Sequence, residues 1–182
     1  MLPANLPVPE DDGAADHLPG ARIPSLVLDS SQGPVDLAEL CAELGVLYVY
    51  PRTGVPTEPL PPGWIETPGA FGCTAENCSF RDHAGQLNAL GAKVFGLSSQ
   101  PLEEQREFAE RERMPYPLLN DSDLLLAQEL GLPTFDFAGM RLYRRLTFIA
   151  RTGQIEKVFY PVFPPDEHAG EVLSWLGGVD SQ

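Results

Sequence analysis

The chain has 182 residues, 43% hydrophobic and 21% charged, which is enough apolar material for the core of one ordinary globular domain. Its formal charge of -14 argues against nucleic acid and anionic membrane surfaces as partners, because both need clustered Lys and Arg. No stretch approaches the roughly 18 consecutive apolar residues of a membrane span and no export signal is read, while an odd count of 3 cysteines suits redox or metal chemistry in a reducing compartment, the cytoplasm by default.

Residues 1–20 hold Pro3, Pro7, Pro9 and Pro19 among Glu10, Asp11, Asp12 and Asp16 with little apolar periodicity. They are expected to form a flexible acidic arm ahead of a single domain over residues 21–182. Residues 25–28 read as a short strand, and an SSQG turn leads to Asp36, which with Glu39 forms a capping box. The helix it opens carries Leu37, Leu40, Cys41 and Leu44 on one face, with Gly45 as its stop. Cys41 belongs to that stripe and reads as a small buried hydrophobe.

Residues 46–50 form a continuous apolar run of the kind found in central parallel strands, ending at Pro51. Loops leaving the carboxyl ends of such strands carry the active sites of open α/β sheets. This loop runs through Pro56, Pro59, Pro61, Pro62 and Trp64 to the stretch GCTAENCSFRD at 72–82. From there Phe80, Ala84, Leu87 and Leu90 share one helix face, which puts Cys73 at the mouth of a helix. Unpaired N–H groups and the helix dipole favour a thiolate at that place. Lowering a thiol from about 8.5 to roughly 6 takes about 3.4 kcal/mol, and an exposed dipole supplies only about 0.3–1 kcal/mol. A cation from elsewhere in the chain is therefore required.

Gly91 closes this helix and residues 93–97 form the next strand. Pro101 opens a charged helix to about Glu112, residues 116–119 are a strand, and 124–130 a helix capped from Asp121 or Ser122. Residues 146–150 and 155–162 read as a hairpin across RTGQ, and a last helix from about Asp166 buries Ala169, Val172, Leu173 and Leu176. The alternation predicts an α/β fold, a central mixed β-sheet with helices on both faces.

In this order and spacing, Tyr50-Pro51, Cys73-Thr74, Cys78 and Phe80-Arg81-Asp82 resemble the peroxiredoxins, specifically the Q type, also called bacterioferritin comigratory proteins. The resemblance runs over about residues 21–176. It implies a thioredoxin-like fold and a thiol-dependent peroxidase acting on hydrogen peroxide or organic hydroperoxides, with no cofactor and no metal. Cys73 takes the place of the peroxide-reactive thiol and Cys78 that of the resolving thiol, which closes an intramolecular disulfide. Thioredoxin or a similar dithiol is the implied reductant, and an intramolecular disulfide permits a monomer or weak dimer. Arg145, two residues before Thr147-Phe148, takes the place of the arginine that stabilises the thiolate and orients the peroxide. Arg144 points to the opposite face of the same strand.

Two features depart from the family pattern. Glu66 and Ala70 stand where the family has a Pro and a Thr or Ser, and Thr67-Pro68 lies three residues upstream of the usual pair. Either the loop bends to bring Thr67 to the site, or another donor substitutes, or activity is reduced. Pro51 and Cys73 are also 22 positions apart, far more than the usual spacing. The additional 52–66 segment is a semi-rigid lid over peroxide or reductant access, or a tolerated surface insertion.

On an intact helix, residues five apart have Cα atoms about 8.6 Å apart, beyond the roughly 7 Å that a disulfide spans. The first turns of the Cys73 helix must therefore unwind before Cys73 and Cys78 can join. Asn77 and Ser79, modest helix formers, suit a segment that melts at low cost. Cys73, Cys78 and His83 spread around the helix and include no C-x-x-C pair, which disfavours a metal module and a direct dithiol oxidoreductase. The alternative that stays open is a thioredoxin-fold redox sensor or partner-binding protein with weak peroxidase activity. His17 and His168 lie among polar residues and carry no assigned role.

Overall fold

The computed structural model describes residues 1–179. Strand β3 (Leu44–Val49) is buried along its whole length, as its unbroken apolar run dictates. It pairs in parallel with β4 (Lys93–Ser98) and antiparallel with β8 (Leu146–Arg151). Beyond β4 the sheet continues through β5 (Leu118–Asn120), β1 (Val27–Ser30) and the two-residue β2 (Val35–Asp36); beyond β8 it ends at β9 (Gln154–Phe159). The order β2-β1-β5-β4-β3-β8-β9 makes one mixed sheet of seven strands. Close packing at its centre depends on Gly96, where a Cβ would lie 2.8 Å from the Tyr48 ring.

Because side chains alternate along a strand, the sheet divides the core in two. Val46, Tyr48 and Ile149 face helices α2 (Cys73–Ala89) and α5 (His168–Val179), which bring Phe80, Ala84, Leu87, Ala169, Val172 and Leu176. Phe108 of α3 (Leu102–Arg111) joins that layer. On the other side, Leu47, Val49, Phe148 and Ala150 meet Leu37 of α1 (Leu37–Leu40) and Leu126 of α4 (Leu125–Leu130). Ala15 and Leu18 from the N-terminal segment pack into this second layer. Residues 1–20 contain neither helix nor strand; Asp12 accepts a 2.8 Å hydrogen bond from the Tyr160 hydroxyl.

Helix α1 is shorter than the sequence expectation. It stops at Leu40, and Leu44 opens β3 instead of ending the helix. Gly45 is a strand residue, needed because a Cβ there would lie 2.9 Å from Cys41 Sγ. A short apolar run satisfies either period, and here pairing with β4 and β8 decides. Asp36 caps α1 as expected by accepting from the Ala38 N–H at 2.9 Å, though, among the described residues, without the reciprocal Glu39 bond of a capping box, and Asp121, not Ser122, accepts from the N–H groups of Leu125 and Leu126 at 2.8 and 2.9 Å.

A hairpin of β6 (Thr134–Phe137) and β7 (Met140–Tyr143) was not expected from the sequence. Its turn places Ala138 at a φ of 48° beside Gly139 at 77°, and alanine there is no turn signal. The hairpin packs Phe135, Phe137, Met140 and Leu142 against Trp64, Ala70 and Phe71. This third, small cluster seats the loop that leads into Cys73.

Candidate active site

Gly72 caps α2 from the left-handed region, at a φ of 108°, and a Cβ there would lie 2.5 Å from Pro165 Cγ. Both constraints admit only glycine without rearrangement. Its carbonyl accepts the Glu76 N–H at 2.9 Å, so Cys73 is the first residue of the helix. The Cys73 side chain is buried, at 2% exposure. Its Sγ accepts the Arg52 N–H at 3.4 Å and a guanidinium N–H from Arg145 Nη2 at 3.2 Å, and lies 3.6 Å from the Ala70 carbonyl.

Arg145 shares its strand parity with Thr147 and Ile149, and so reaches the α2 side of the sheet. Nη1 pairs with Glu76, while Nη2 also donates to the carbonyls of Gly69, Ala70 and Phe71 at 3.3, 3.2 and 3.3 Å. One guanidinium thus ties the loop, a carboxylate and the thiol together. Arg144 lies on the other side, its guanidinium 5.5 Å from the centre of the Phe135 ring. Cys78 is not brought to this cluster: it is half-buried, and its thiol donates to Glu112 Oε2 at 3.5 Å. Arg81 holds that glutamate, with Nη1 3.3 Å from the same oxygen. Cys73 and Cys78 both lie within the intact α2 and are unbonded.

The electrostatics differ from the lowered thiol pKa expected at a helix mouth. Burial pushes the Cys73 thiol up; the Arg145 guanidinium opposes this, and Glu76 adds to the upward push. Burial also raises the Glu76 carboxyl to about 7, against the pull of Arg145. Two acids therefore compete for one cation, and ionising either in this dry site raises the proton affinity of the other. Glu76 was missed in the sequence reading. Its signal was available, since an acid three residues after Cys73 lies on the same side of the helix. Among the described residues, two buried oxygens of this site, Tyr50 Oη and Glu76 Oε1, have no hydrogen-bond partner.

The Thr67 hydroxyl donates to the Gly63 carbonyl at 2.8 Å, so the donors on Cys73 Sγ are Arg145 and the Arg52 amide. Asn77 does the reverse of what its helix propensity suggested. It is fully buried, donates to the Cys73 carbonyl at 2.9 Å and accepts from the Tyr48 hydroxyl at 2.8 Å, which pins the first turn in place. His168 is likewise buried, and its Nδ1 lies 3.0 Å from Glu171 Oε2. It lies edge-on to Phe80 and Phe159 with Nε2 2.8 Å from Thr147 Oγ1, and burial lowers its pKa so that the imidazole is neutral near pH 7.

The Redoxin family model matches residues 18–173. Among curated relatives, the chain is 30% identical over 158 residues to Peroxiredoxin Q, chloroplastic, of Sedum lineare, covering 86% of this chain and 76% of that protein. It is 29% identical over 180 residues to the Gentiana triflora Peroxiredoxin Q, chloroplastic, covering 96% and 76%. The crystal structure of Peroxidoxin BcpB from Mycobacterium tuberculosis superposes with a TM-score of 0.72 at 29% identity, over 89% of this chain and 97% of that one. A Xylella fastidiosa PrxQ structure shares the fold at a TM-score of 0.73 and 23% identity, over 90% and 98%. The buried thiol at a helix mouth, the arginine against it and these relatives lead to one conclusion: the chain belongs to the Redoxin family, within it to the Q-type peroxiredoxins, and is a thiol-dependent peroxidase with a thioredoxin-like fold.

Proposed function

We propose that Cys73 is the peroxide-reactive thiol, Cys78 the resolving thiol, and Arg145 the cation that stabilises the thiolate and orients the peroxide. The observation that carries this reading is the pair of donors on the buried Cys73 Sγ, Arg145 Nη2 at 3.2 Å and the Arg52 amide at 3.4 Å. Ionised Sγ attacks the terminal peroxide oxygen in line. The S–O bond forms as the O–O bond breaks, and the leaving oxygen takes up the proton that left the thiol, giving water or an alcohol and a Cys73 sulfenic acid. Unwinding of the first turns of α2 then frees Cys78 from Glu112. Its thiolate attacks the sulfenic sulfur, hydroxide leaves as water with the thiol proton, and the disulfide forms.

Thioredoxin or a similar dithiol reduces that disulfide by exchange, and α2 refolds. A reducing compartment, the cytoplasm by default, suits this cycle, because such dithiols would keep all 3 cysteines reduced between turnovers. A disulfide within one chain needs no second copy, in keeping with a monomer or weak dimer, and the charge of -14 disfavours nucleic acid and anionic membranes as partners. The redox-sensor alternative is not favoured by the relatives, which are peroxiredoxins.

Intact mass of reduced protein mixed with a small excess of hydrogen peroxide tests the assignment. Wild type is expected to lose about 2 Da, Cys78→Ser to gain about 16 Da or reach higher oxides, and Cys73→Ser to stay inert. Oxidation of the Cys73→Ser protein at Cys78 reverses the two roles.

A further inference from the structure

Ala70 offers no hydroxyl to the Cys73 sulfur and the Thr67 hydroxyl goes to the Gly63 carbonyl, so beside Arg145 the sulfur takes its second hydrogen bond from the Arg52 N–H, at 3.4 Å. A backbone amide points where its peptide unit is held. In a planar trans peptide the N–H and the C=O point in opposite directions, so the Arg52 N–H is aimed by whatever fixes the Pro51 carbonyl and the residue that follows. The chain has just left the sheet at this point: β3 ends at Val49, and Pro51 has no N–H with which to continue a ladder.

Side chains from the end of β4 take over. The Tyr50 N–H still donates to the Leu97 carbonyl at 3.0 Å, and one step on Ser98 Oγ donates to the Pro51 carbonyl at 2.9 Å. Past Arg52, the Gln100 amide closes a pair with Thr53: its Oε1 accepts from the Thr53 N–H at 3.0 Å, and its Nε2 donates to the Thr53 carbonyl at 3.2 Å. Only an Asn or Gln side chain presents an acceptor and a donor side by side in this way. Gln100 is itself braced, since Nε2 also donates to Glu104 Oε2 at 2.7 Å and its own N–H donates to Ser98 Oγ at 3.1 Å. The same glutamate lies 3.5 Å from the Arg52 guanidinium. Ser98, Gln100 and Thr53 are each no more than 2% exposed, so little water competes for these bonds.

We propose that Ser98 and Gln100 are positioning residues for the peroxidase reaction, holding the Pro51–Arg52 peptide so that its N–H meets the Cys73 thiolate in place of a side-chain hydroxyl. The proposal rests on Cys73 being the peroxide-reactive thiol. Burial works against the thiolate, so near pH 7 the rate of attack on peroxide follows the thiolate fraction and each donor counts. Among the described residues, Arg145, Glu76 and Tyr50 are the other charged or titratable groups that face this sulfur, and substitutions at 98 and 100 leave all three in place.

The test is the pH profile of the rate constant for a single oxidation of reduced protein by hydrogen peroxide, followed by stopped-flow fluorescence so that no reductant enters. Gln100→Met keeps the length of the side chain and removes its hydrogen bonds. The midpoint of the profile is expected to rise by about one unit in this variant, which is about a tenfold lower rate constant below the midpoint. The constant at the high-pH plateau is not expected to fall, because a thiolate with a weaker donor is the more nucleophilic. A purely structural role lowers the plateau or the stability and leaves the midpoint in place. Ser98→Ala is expected to move the midpoint in the same direction by a smaller amount. A midpoint that stays put in Gln100→Met overturns the proposal, whatever the plateau does; should that protein not fold, the midpoint of Ser98→Ala decides in the same way. Peroxide consumption by Cys73→Ser protein fails the underlying assignment of Cys73 instead.

Discussion

Cys73 and Cys78 lie on one helix, yet their surroundings are opposite. Cys73 is enclosed, with a guanidinium N–H at 3.2 Å and a backbone N–H at 3.4 Å on its sulfur. Cys78 is half-buried and donates a hydrogen bond to a carboxylate oxygen at 3.5 Å, and burial together with Glu112 keeps its thiol above the ordinary range. Burial raises both thiols, but the Arg145 guanidinium opposes it at Cys73; in the proposed cycle the one holds negative charge at the moment of reaction, and the other stays a protonated thiol until α2 opens and takes it away from Glu112. Division of labour between two chemically identical groups thus comes from their neighbours, and substitutions at Arg145, Glu76 and Asn77, with Arg144 as the control, test that difference.

Arg145 carries the largest expected effect. Its removal leaves Glu76 buried without its partner, a loss of about 3–5 kcal/mol, so the change is best read in a Glu76→Gln background. There Arg145→Ala is expected to slow oxidation of Cys73 by about 10²–10³-fold in stopped-flow measurements. Arg144→Ala, whose side chain lies over Phe135, is expected to leave that rate within about twofold. A larger loss in the Arg144 variant than in the Arg145 variant would show that the wrong arginine has been assigned.

Glu76→Gln comes next and acts in the opposite direction. It removes the carboxylate that raises the Cys73 thiol, so the thiolate absorbance of the variant should appear at lower pH than in wild type. Stability changes as well. The Glu76 carboxyl is raised from 4.5 to about 7 in the folded protein, so the native state binds the extra proton in that window and stability falls as pH rises through it. The fall is on the order of 3 kcal/mol at about 1.36 kcal/mol per unit. Denaturant titrations from pH 4.5 to 7 should show it in wild type and not in Glu76→Gln; equal slopes would mean that Glu76 titrates normally.

Asn77→Ala has the smallest expected effect and bears on the step that joins the two cysteines. It frees the Cys73 carbonyl and one partner of the Tyr48 hydroxyl, for about 1–3 kcal/mol of stability. Because that energy holds the first turn of α2, disulfide formation after peroxide addition should accelerate. Circular dichroism should show less helix in the oxidised form of both proteins. Unchanged helix content on oxidation would remove the unwinding step, and with it the reason for Asn77 to matter.

Much of this arrangement was legible in the residue pattern. The apolar run of β3 announced a central strand, the spacing of Phe80, Ala84 and Leu87 put Cys73 at the helix mouth, and the two-residue period of β8, carried back to the two residues before Leu146, separated Arg145 from Arg144. These are local regularities, each set within one or two turns or strand repeats. The β6–β7 hairpin escaped because only one of its two turn residues, Gly139, is of a type that marks a positive φ, while Ala138 beside it is not. Asn77 was misjudged because propensity describes an isolated helix, whereas here Tyr48, 29 residues away in the chain, determines what the amide does.

By itself, then, the sequence determined two thiols on one helix, five positions apart and unable to join without unwinding, and a cation on the correct face of a neighbouring strand. Only the tertiary structure decided how strongly Cys73 is buried, that Glu76 competes with it for Arg145, and that Ser98 and Gln100 hold the segment whose Arg52 amide meets it. The reason is physical. Periodicity is a property of neighbouring residues, but desolvation and Coulomb interaction depend on what lies within a few ångströms, and Arg145 reaches Cys73 from 72 residues further along the chain.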